Sequence, residues 1–418
     1  MESDRGPRIF ISAGELSGDL VGARLTAAVL RRDGGASVWG AGGRAMADAG
    51  VAIESHTGDI GVVGVTETLS AAPSVVRALR RIRRRIRREP PDAAVLIGND
   101  VFNVLLARRL RARGIPALAY FPPQVWLWRS LARPIARSFD AIFTSFPEEH
   151  AVYAQASDRT RVSFVGHYLA DDLSPATPAE RAAARAQLEL PQDVPVVGLL
   201  PGSRTHEVRV LSPVFFDAAE RLLAAHDNAW FVLAAAPGVD RDALARASGR
   251  RSIASRMRIV TGGHSAMRAA DLLLLASGTA SLEAALVGTP MVIAYRLSAA
   301  THLVIRAAMA LGLIDAYVVG LPNLITGRSV VPEVLQRRLT AATLADEASA
   351  LLVSPDRLAR MRADLATIAH QLRAGRSVDD VADAVLAWAD EGRRRAAARC
   401  SRWTSQPRRQ PLRVPEAK

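Results

Sequence analysis

Short apolar runs alternate with amphipathic stretches along most of this chain. Runs at 8–13, 37–40, 93–97, 117–120, 141–144 and 162–165 in the first half, and at 196–200, 230–235, 258–260, 272–275 and 291–295 in the second, are of strand length. Each ends in a turn signal and leads into a helical pattern, the order expected of parallel sheets with helices on both faces. The alternation restarts after 170–191, which carries Pro175, Pro178 and Pro191. The predicted fold is therefore α/β, with two Rossmann-like, doubly wound parallel-sheet domains and the site in the cleft between them. Predicted boundaries are 1–172 for an N-terminal domain and 190–345 for a C-terminal domain. Residues 346–393 read as helices packing back on the first domain, and the Arg-, Pro-, Gln- and Ser-rich stretch 394–418 as a disordered basic tail.

Composition narrows the function classes. Of the 418 residues 49% are hydrophobic and 23% charged, enough for a sizeable core. The longest apolar stretch, 299–321, is interrupted by His302, Arg306 and Asp315, so no spanning helix is expected. The opening MESDRGPRIF has no apolar core, which predicts a cytoplasmic protein without a signal peptide. Cys400 is the sole cysteine, which removes internal disulfides and cysteine-based zinc sites, and the eight histidines show no ligand spacing; no metal and no cofactor are expected. Lys418 is the sole lysine, which excludes a Walker-type phosphate loop and a lysine Schiff base.

The net charge of +13 is thus almost all arginine, and part of it is concentrated. Between Val75 and Arg88, the residues Val75, Leu79, Ile82 and Ile86 form one helix face, while Arg80, Arg81, Arg84, Arg85 and Arg88 belong to the surrounding charge. Such a helix suits an anionic membrane surface, and equally a packed helix with a solvated outer face. No aromatic residues interleave with the arginines, so nucleic acid is not an expected partner.

The candidate chemistry sits at strand ends. Gly14-Glu15-Leu16-Ser17-Gly18-Asp19 follows the first strand; its small residues admit a ligand at a helix N-terminus, while Ser17 or Asp19 also fits as a helix cap. Gly40-Ala41-Gly42-Gly43 resembles a dinucleotide fingerprint only weakly. Asp100, closing Gly98-Asn99-Asp100, is placed as a general base or as a cap. Pro201-Gly202-Ser203-Arg204 offers backbone N–H groups and a guanidinium to a diphosphate, with Glu207 as a helix-start or ion-pair residue. Ser277-Gly278-Thr279 opens a helix whose first N–H groups suit phosphate, with Glu283 one turn in; a capping start is the plainer alternative. Asp240-Arg241-Asp242 reads as a solvated loop rather than a metal-diphosphate site.

In this order the motifs resemble the lipid-A-disaccharide synthase family from about residue 8 to 336, and more loosely to 388. Further matches are Val63-Gly64 with Glu67, Phe102-Asn103, Trp126-x-Trp128-Arg129, Phe164-Val165-Gly166-His167, Tyr295-Arg296 and Leu321-Pro322-Asn323-Leu324. The resemblance implies an inverting, metal-independent GT-B glycosyltransferase that joins UDP-2,3-diacylglucosamine to 2,3-diacylglucosamine 1-phosphate through a β-1,6 linkage in lipid A biosynthesis. It implies Asp100 as the base, Arg204 and Ser277–Thr279 at the UDP diphosphate, Glu283 at the ribose, Asn323 in the nucleotide pocket, and Gly14, Glu15, Ser17 and Gly18 lining the cleft. It also implies peripheral attachment to the cytoplasmic face of the inner membrane and a homodimer. A UDP-sugar transferase with another lipid acceptor, and an inactive membrane-binding relative, are the alternatives. The chain departs from the family on the acceptor side. Val101 alone separates Asp100 from Phe102-Asn103, where Ala-Pro-Asp is usual, and Tyr120-Phe121-Pro122-Pro123-Gln124 replaces a serine-flanked proline.

Overall fold

The structure is a computed structural model describing residues 5–56, 65–98, 100–125, 129–296, 320–373 and 377–404. Val63, Gly64, Trp126, Trp128 and the tail beyond Thr404 lie outside the described residues, as do the side chains of Glu67 and Asp100. The chain divides into two compact units. The first comprises residues up to Thr144, Glu149–Val165 and those from Val378 on; the second comprises Ser145–Glu148 and Gly166–Ser377.

The first unit is built on seven parallel strands in the order β3-β2-β1-β4-β5-β6-β7. They are β1 (Arg8–Ala13), β2 (Ser37–Gly42), β3 (Ala52–His56), β4 (Ala93–Ile97), β5 (Ala117–Tyr120), β6 (Ala141–Thr144) and β7 (Arg161–Phe164). The second has six, ordered β10-β9-β8-β11-β12-β13: β8 (Val196–Leu200), β9 (Trp230–Ala235), β10 (Met257–Thr261), β11 (Leu272–Ala276), β12 (Met291–Tyr295) and β13 (Glu333–Leu335). Strand order reverses between β1 and β4 in one sheet and between β8 and β11 in the other. Open α/β sheets bind ligands beyond the strand carboxyl ends at such a switch point.

The central strands are buried on both faces, so they read as continuous apolar runs. β3 and β13 were not among the predicted strands. β3 is an edge strand of mixed burial with the sequence AIESH, and β13 has three residues, so neither presents an apolar run. Asp240 accepts from the Ala243 N–H at 2.9 Å and caps the helix Arg241–Ser248, which gives the Asp-x-Asp a structural role.

An ion pair with a buried arginine pins the start of β8 to the start of β11. The Arg185 guanidinium, 4% exposed, donates to Asp271 Oδ2 at 2.7 Å and to the Ala269 carbonyl at 3.0 Å. The same carboxylate oxygen accepts from the Val196 N–H at 2.9 Å.

The helix Val65–Arg88 covers β2 and β3 with Ala78, Ile82 and Ile86, all buried. Its arginines divide. Arg80, Arg84 and Arg88 are exposed. Arg85 instead stacks on Trp39, 4.6 Å from the ring centroid, and pairs with Glu54 at 3.2 Å, while Arg81 donates to Ser55 Oγ at 3.0 Å. Of the five arginines expected at a membrane, these two are therefore bonded within the unit.

The helix Ser377–Thr404 belongs to the first unit although it follows the second in sequence. It buries Val381, Ala382, Val385 and Ala389 completely. Gly392 lies against the Asp92 carbonyl, and Arg161 stacks on Trp388 at 5.5 Å. The helix runs eleven residues past 393, where composition places the onset of a tail. No helix among the described residues is long and apolar enough to cross a membrane.

Candidate functional site

The strand-end motifs fall at the two switch points. In the first unit, Ala13 pairs with Ile97, so the turns after β1 and β4 lie side by side. The first holds Gly14, Glu15, Ser17 and Gly18, with Glu15 and Ser17 exposed and the two glycines buried. Asp100 is the first residue of the helix Asp100–Arg111 rather than a cap on a helix starting near Phe102. Asn103, one turn in, fixes this region. Its amide donates to the Ile97 and Gly98 carbonyls at 3.2 and 2.6 Å and accepts from Ser12 Oγ at 2.8 Å. Asn103 thus ties β1 and β4 to the helix that carries Asp100. The Phe102-Asn103 pair was visible in the sequence, but its partner Ser12 is 91 residues away.

Asp19 has a different part from either one read for it. It is buried, and both carboxylate oxygens accept backbone N–H groups of the next helix, Arg44–Asp48: Gly43 at 2.6 Å, Ala45 at 3.0 Å and Met46 at 3.1 Å. A Cβ at Gly43 would stand 2.6 Å from Asp19 Oδ2, so glycine is needed there for the approach. The second glycine run is therefore the end of β2 and a helix start already closed by a carboxylate, which leaves it no anion site.

In the second unit Leu200 pairs with Leu275, bringing the Pro201–Arg204 and Ser277–Thr279 turns together beyond β8 and β11. Arg204 is 60% exposed on its side chain and pairs with Glu207 at 3.2 Å. Glu207 Oε2 also accepts the Ser203 and Arg204 N–H groups at 3.3 and 3.4 Å, so the backbone donors of this turn are long-bonded to a side chain of their own helix. Tyr295 stands close enough that burial, and then the Glu207 charge, push its hydroxyl pKa up.

The Ser277–Thr279 turn is more open. The helix Thr279–Val287 starts on Gly278 with no side-chain cap and no acidic residue in its first turn, and Gly278 and Thr279 are exposed. Gly278 adopts φ 140°, ψ −159°, a region only glycine occupies readily. An uncapped N-terminus carries partial positive charge and favours an anion. Glu283 faces His264 across 3.4 Å, and this hydrogen bond raises the imidazole pKa above its ordinary value. His264 was not singled out in the sequence; it lies nineteen residues upstream, at the start of the neighbouring helix His264–Ala269.

Asn323 is 4% exposed and holds the chain against itself. Oδ1 accepts from the Val330 and Val331 N–H groups at 2.7 and 3.0 Å, and Nδ2 donates to Glu333 Oε1 at 2.7 Å and the Val331 carbonyl at 2.9 Å. Its amide ties the helix Leu321–Thr326 to the segment that leads into β13. His167 is likewise structural: burial lowers its pKa to about 3, and the neutral ring accepts the Leu169 N–H at 3.2 Å. Among the described residues no cluster of three or more His, Cys, Asp or Glu is arranged to hold a metal.

Two doubly wound parallel sheets, with small-residue turns at both switch points, define a GT-B glycosyltransferase architecture. The fold is similar to that of the kitacinnamycin glycotransferase (TM-score 0.57, 15% identity, 92% of this chain and 99% of that one) and of CalG4, the calicheamicin glycosyltransferase (TM-score 0.56, 16% identity, 93% and 99%). The Lipid-A-disaccharide synthetase family model matches residues 9–385. The chain is 36% identical over 390 residues to the lipid-A-disaccharide synthase of Geobacter sulfurreducens, covering 92% of this chain and 98% of the relative. It is 39% identical over 331 residues to that of Chromohalobacter salexigens, covering 79% and 83%. The chain belongs to the lipid-A-disaccharide synthase family.

Proposed function

We propose that this protein transfers 2,3-diacylglucosamine from its UDP conjugate to the 6-hydroxyl of 2,3-diacylglucosamine 1-phosphate, with inversion, giving the β-1,6 disaccharide 1-phosphate and UDP. The observation that carries the reading is the coincidence of all four motif turns with the two switch points. The first unit receives the acceptor. Asp100, at the mouth of the β1–β4 switch point, takes the proton from the attacking hydroxyl, while Gly14, Glu15, Ser17 and Gly18 give that mouth its shape. The second unit receives the nucleotide. The uncapped helix start at Ser277–Thr279 and the exposed Arg204 guanidinium meet the charge that grows on the diphosphate as the glycosidic bond breaks. Arg204, 60% exposed, turns from Glu207 to the ligand, and the Glu207 carboxylate keeps the Ser203 and Arg204 N–H groups as partners. Glu283 binds the ribose hydroxyls in competition with His264, and Asn323 holds the backbone beside them. Arg80, Arg84 and Arg88 face an anionic lipid surface, each worth about 1 kcal/mol there.

The direct test is to mix the purified protein with both acylated substrates, with and without chelator, and follow product by mass spectrometry. Disaccharide and UDP in equal amounts are expected in both arms. UDP release with a different lipid acceptor and no disaccharide would mark a divergent transferase. Liposome binding without turnover of either substrate would mark an inactive relative.

The donor turn has its own test. In Gly278→Ala no atom lies within 4 Å of the added methyl, so the penalty is conformational. It is expected to cost about 1–3 kcal/mol and to re-aim the N–H groups. UDP affinity, measured by titration calorimetry, should fall about tenfold or more; unchanged affinity would remove this turn from the donor site.

A further inference from the structure

One cavity beside the acceptor mouth has no part in the chemistry above. It measures about 440 Å³ and is lined by Val101, Val104, Leu105, Pro123, Gln124, Val125, Leu131 and Ile135. That volume lies within the roughly 300–1,000 Å³ of small-molecule sites. Gln124 is the single polar side chain in the lining.

The helix Asp100–Arg111 explains why the cavity exists. Phe102, Leu106 and Leu110 turn inward and complete the core. Val104 packs partly against that core, and Val101 and Leu105 continue the apolar surface around the helix beyond it. Val101 is 73% exposed, Leu105 41% and Leu131 48%. Six large apolar side chains are exposed among the described residues, and these three rim the same cavity. Val101 also stands where the family usually has a longer segment, directly after Asp100.

The segment carrying Pro123, Gln124 and Val125 is tied down at two points. The Tyr153 hydroxyl donates to the Pro123 carbonyl at 2.7 Å, and the Gly98 N–H donates to the Phe121 carbonyl at 3.0 Å. Phe121 is kept at φ 53°, an uncommon region for a bulky residue. Backbone held in such a region by its surroundings marks sites where function fixes the shape.

We propose that this cavity holds one fatty-acyl chain of the acceptor, entering beside Asp100 and lying along Val101, Val104 and Leu105. The assignment rests on the lipid-acceptor reading above and adds the place of the chain. An aliphatic ligand suits the lining, because a polar group brought in would lose its water without gaining hydrogen bonds. It also covers the three exposed side chains. The cavity opens one residue from the proposed base, so a chain seated in it positions the sugar hydroxyl at that base.

The test measures binding of 2,3-diacylglucosamine 1-phosphate below its micelle concentration by titration calorimetry, lengthening one acyl chain at a time. In one of the two series, affinity of the wild-type protein should rise about fourfold per methylene until the cavity is full. Val104→Trp and Ile135→Phe fill it from two different helices, and circular dichroism checks that each folds. Both should flatten that series and weaken binding of the long-chain acceptor at least tenfold. The inference is overturned if wild-type affinity ignores chain length, or if both folded variants keep the wild-type slope. A wild-type protein that shows the slope yet forms no disaccharide supports the cavity and sinks the proposed reaction instead.

Discussion

Asp100→Ala is expected to lower kcat by about 10²–10⁴-fold, the usual contribution of a positioned general base, while leaving UDP affinity within twofold. A sugar hydroxyl is a poor nucleophile until its proton has somewhere to go. The helix Asp100–Arg111 presents its first residue at the β1–β4 switch point. Its attitude is fixed by the Asn103 bonds to Ile97, Gly98 and Ser12. Removing the carboxylate should therefore take out the base and leave the turn standing. Asp100→Asn keeps the size and loses the basicity, and should be as slow. Steady-state rates with both acylated substrates, and UDP titration on the same preparations, decide it. Turnover within tenfold of wild type in both variants would move the base elsewhere.

Asp271→Ala is expected to destabilise the second unit by about 2–4 kcal/mol, the cost of taking the charged acceptor from a buried guanidinium and the sole acceptor from a buried N–H. Arg185, 4% exposed, keeps the Ala269 and Val194 carbonyls but loses its carboxylate, whose side chain is 26% exposed, and the Val196 N–H loses its acceptor at the same time. In a unit of this size the midpoint of thermal unfolding should drop on the order of 10 °C. Asp271→Asn keeps an acceptor for Val196 and should lose less. Asp364→Ala gives the contrast. The pair it breaks, with Arg328, is 59% and 27% exposed, and exposed pairs contribute about 1 kcal/mol or less. If the two alanine variants melt together, the Arg185–Asp271 pair is not what holds β8 beside β11.

Both sheets and their switch-point turns were legible in the sequence for one physical reason. Central parallel strands are buried on both faces, so they appear as unbroken apolar runs that stop at glycine. The edges were not legible: β3 carries Glu54 and His56, and β13 is too short to form a pattern. Side-chain roles were harder to read because their partners are distant in sequence. Asp19 looked like a cap for its own helix, yet the N–H groups it closes belong to residues 43, 45 and 46. Asn323 looked like a ligand residue, but its amide is committed to residues 330–333. Glu283 and Glu207 were located at the right turns, and neither His264 nor the Ser203 N–H was foreseen as its neighbour. The arginine helix shows both outcomes. Its apolar face follows from the 3.6-residue period, but Arg85 turns inward because Trp39 and Glu54 arrive from other strands.

The closing helix Ser377–Thr404 sets an order of events during synthesis. Chains emerge from the ribosome N-terminus first, and domains generally fold as they appear. Here the earlier-made unit must wait: Val381, Val385 and Ala389 complete its interior, and they emerge only after the whole later unit has been translated. A chain truncated after Ser377 should accordingly hold a protease-resistant second unit beside a first unit that is still cut readily.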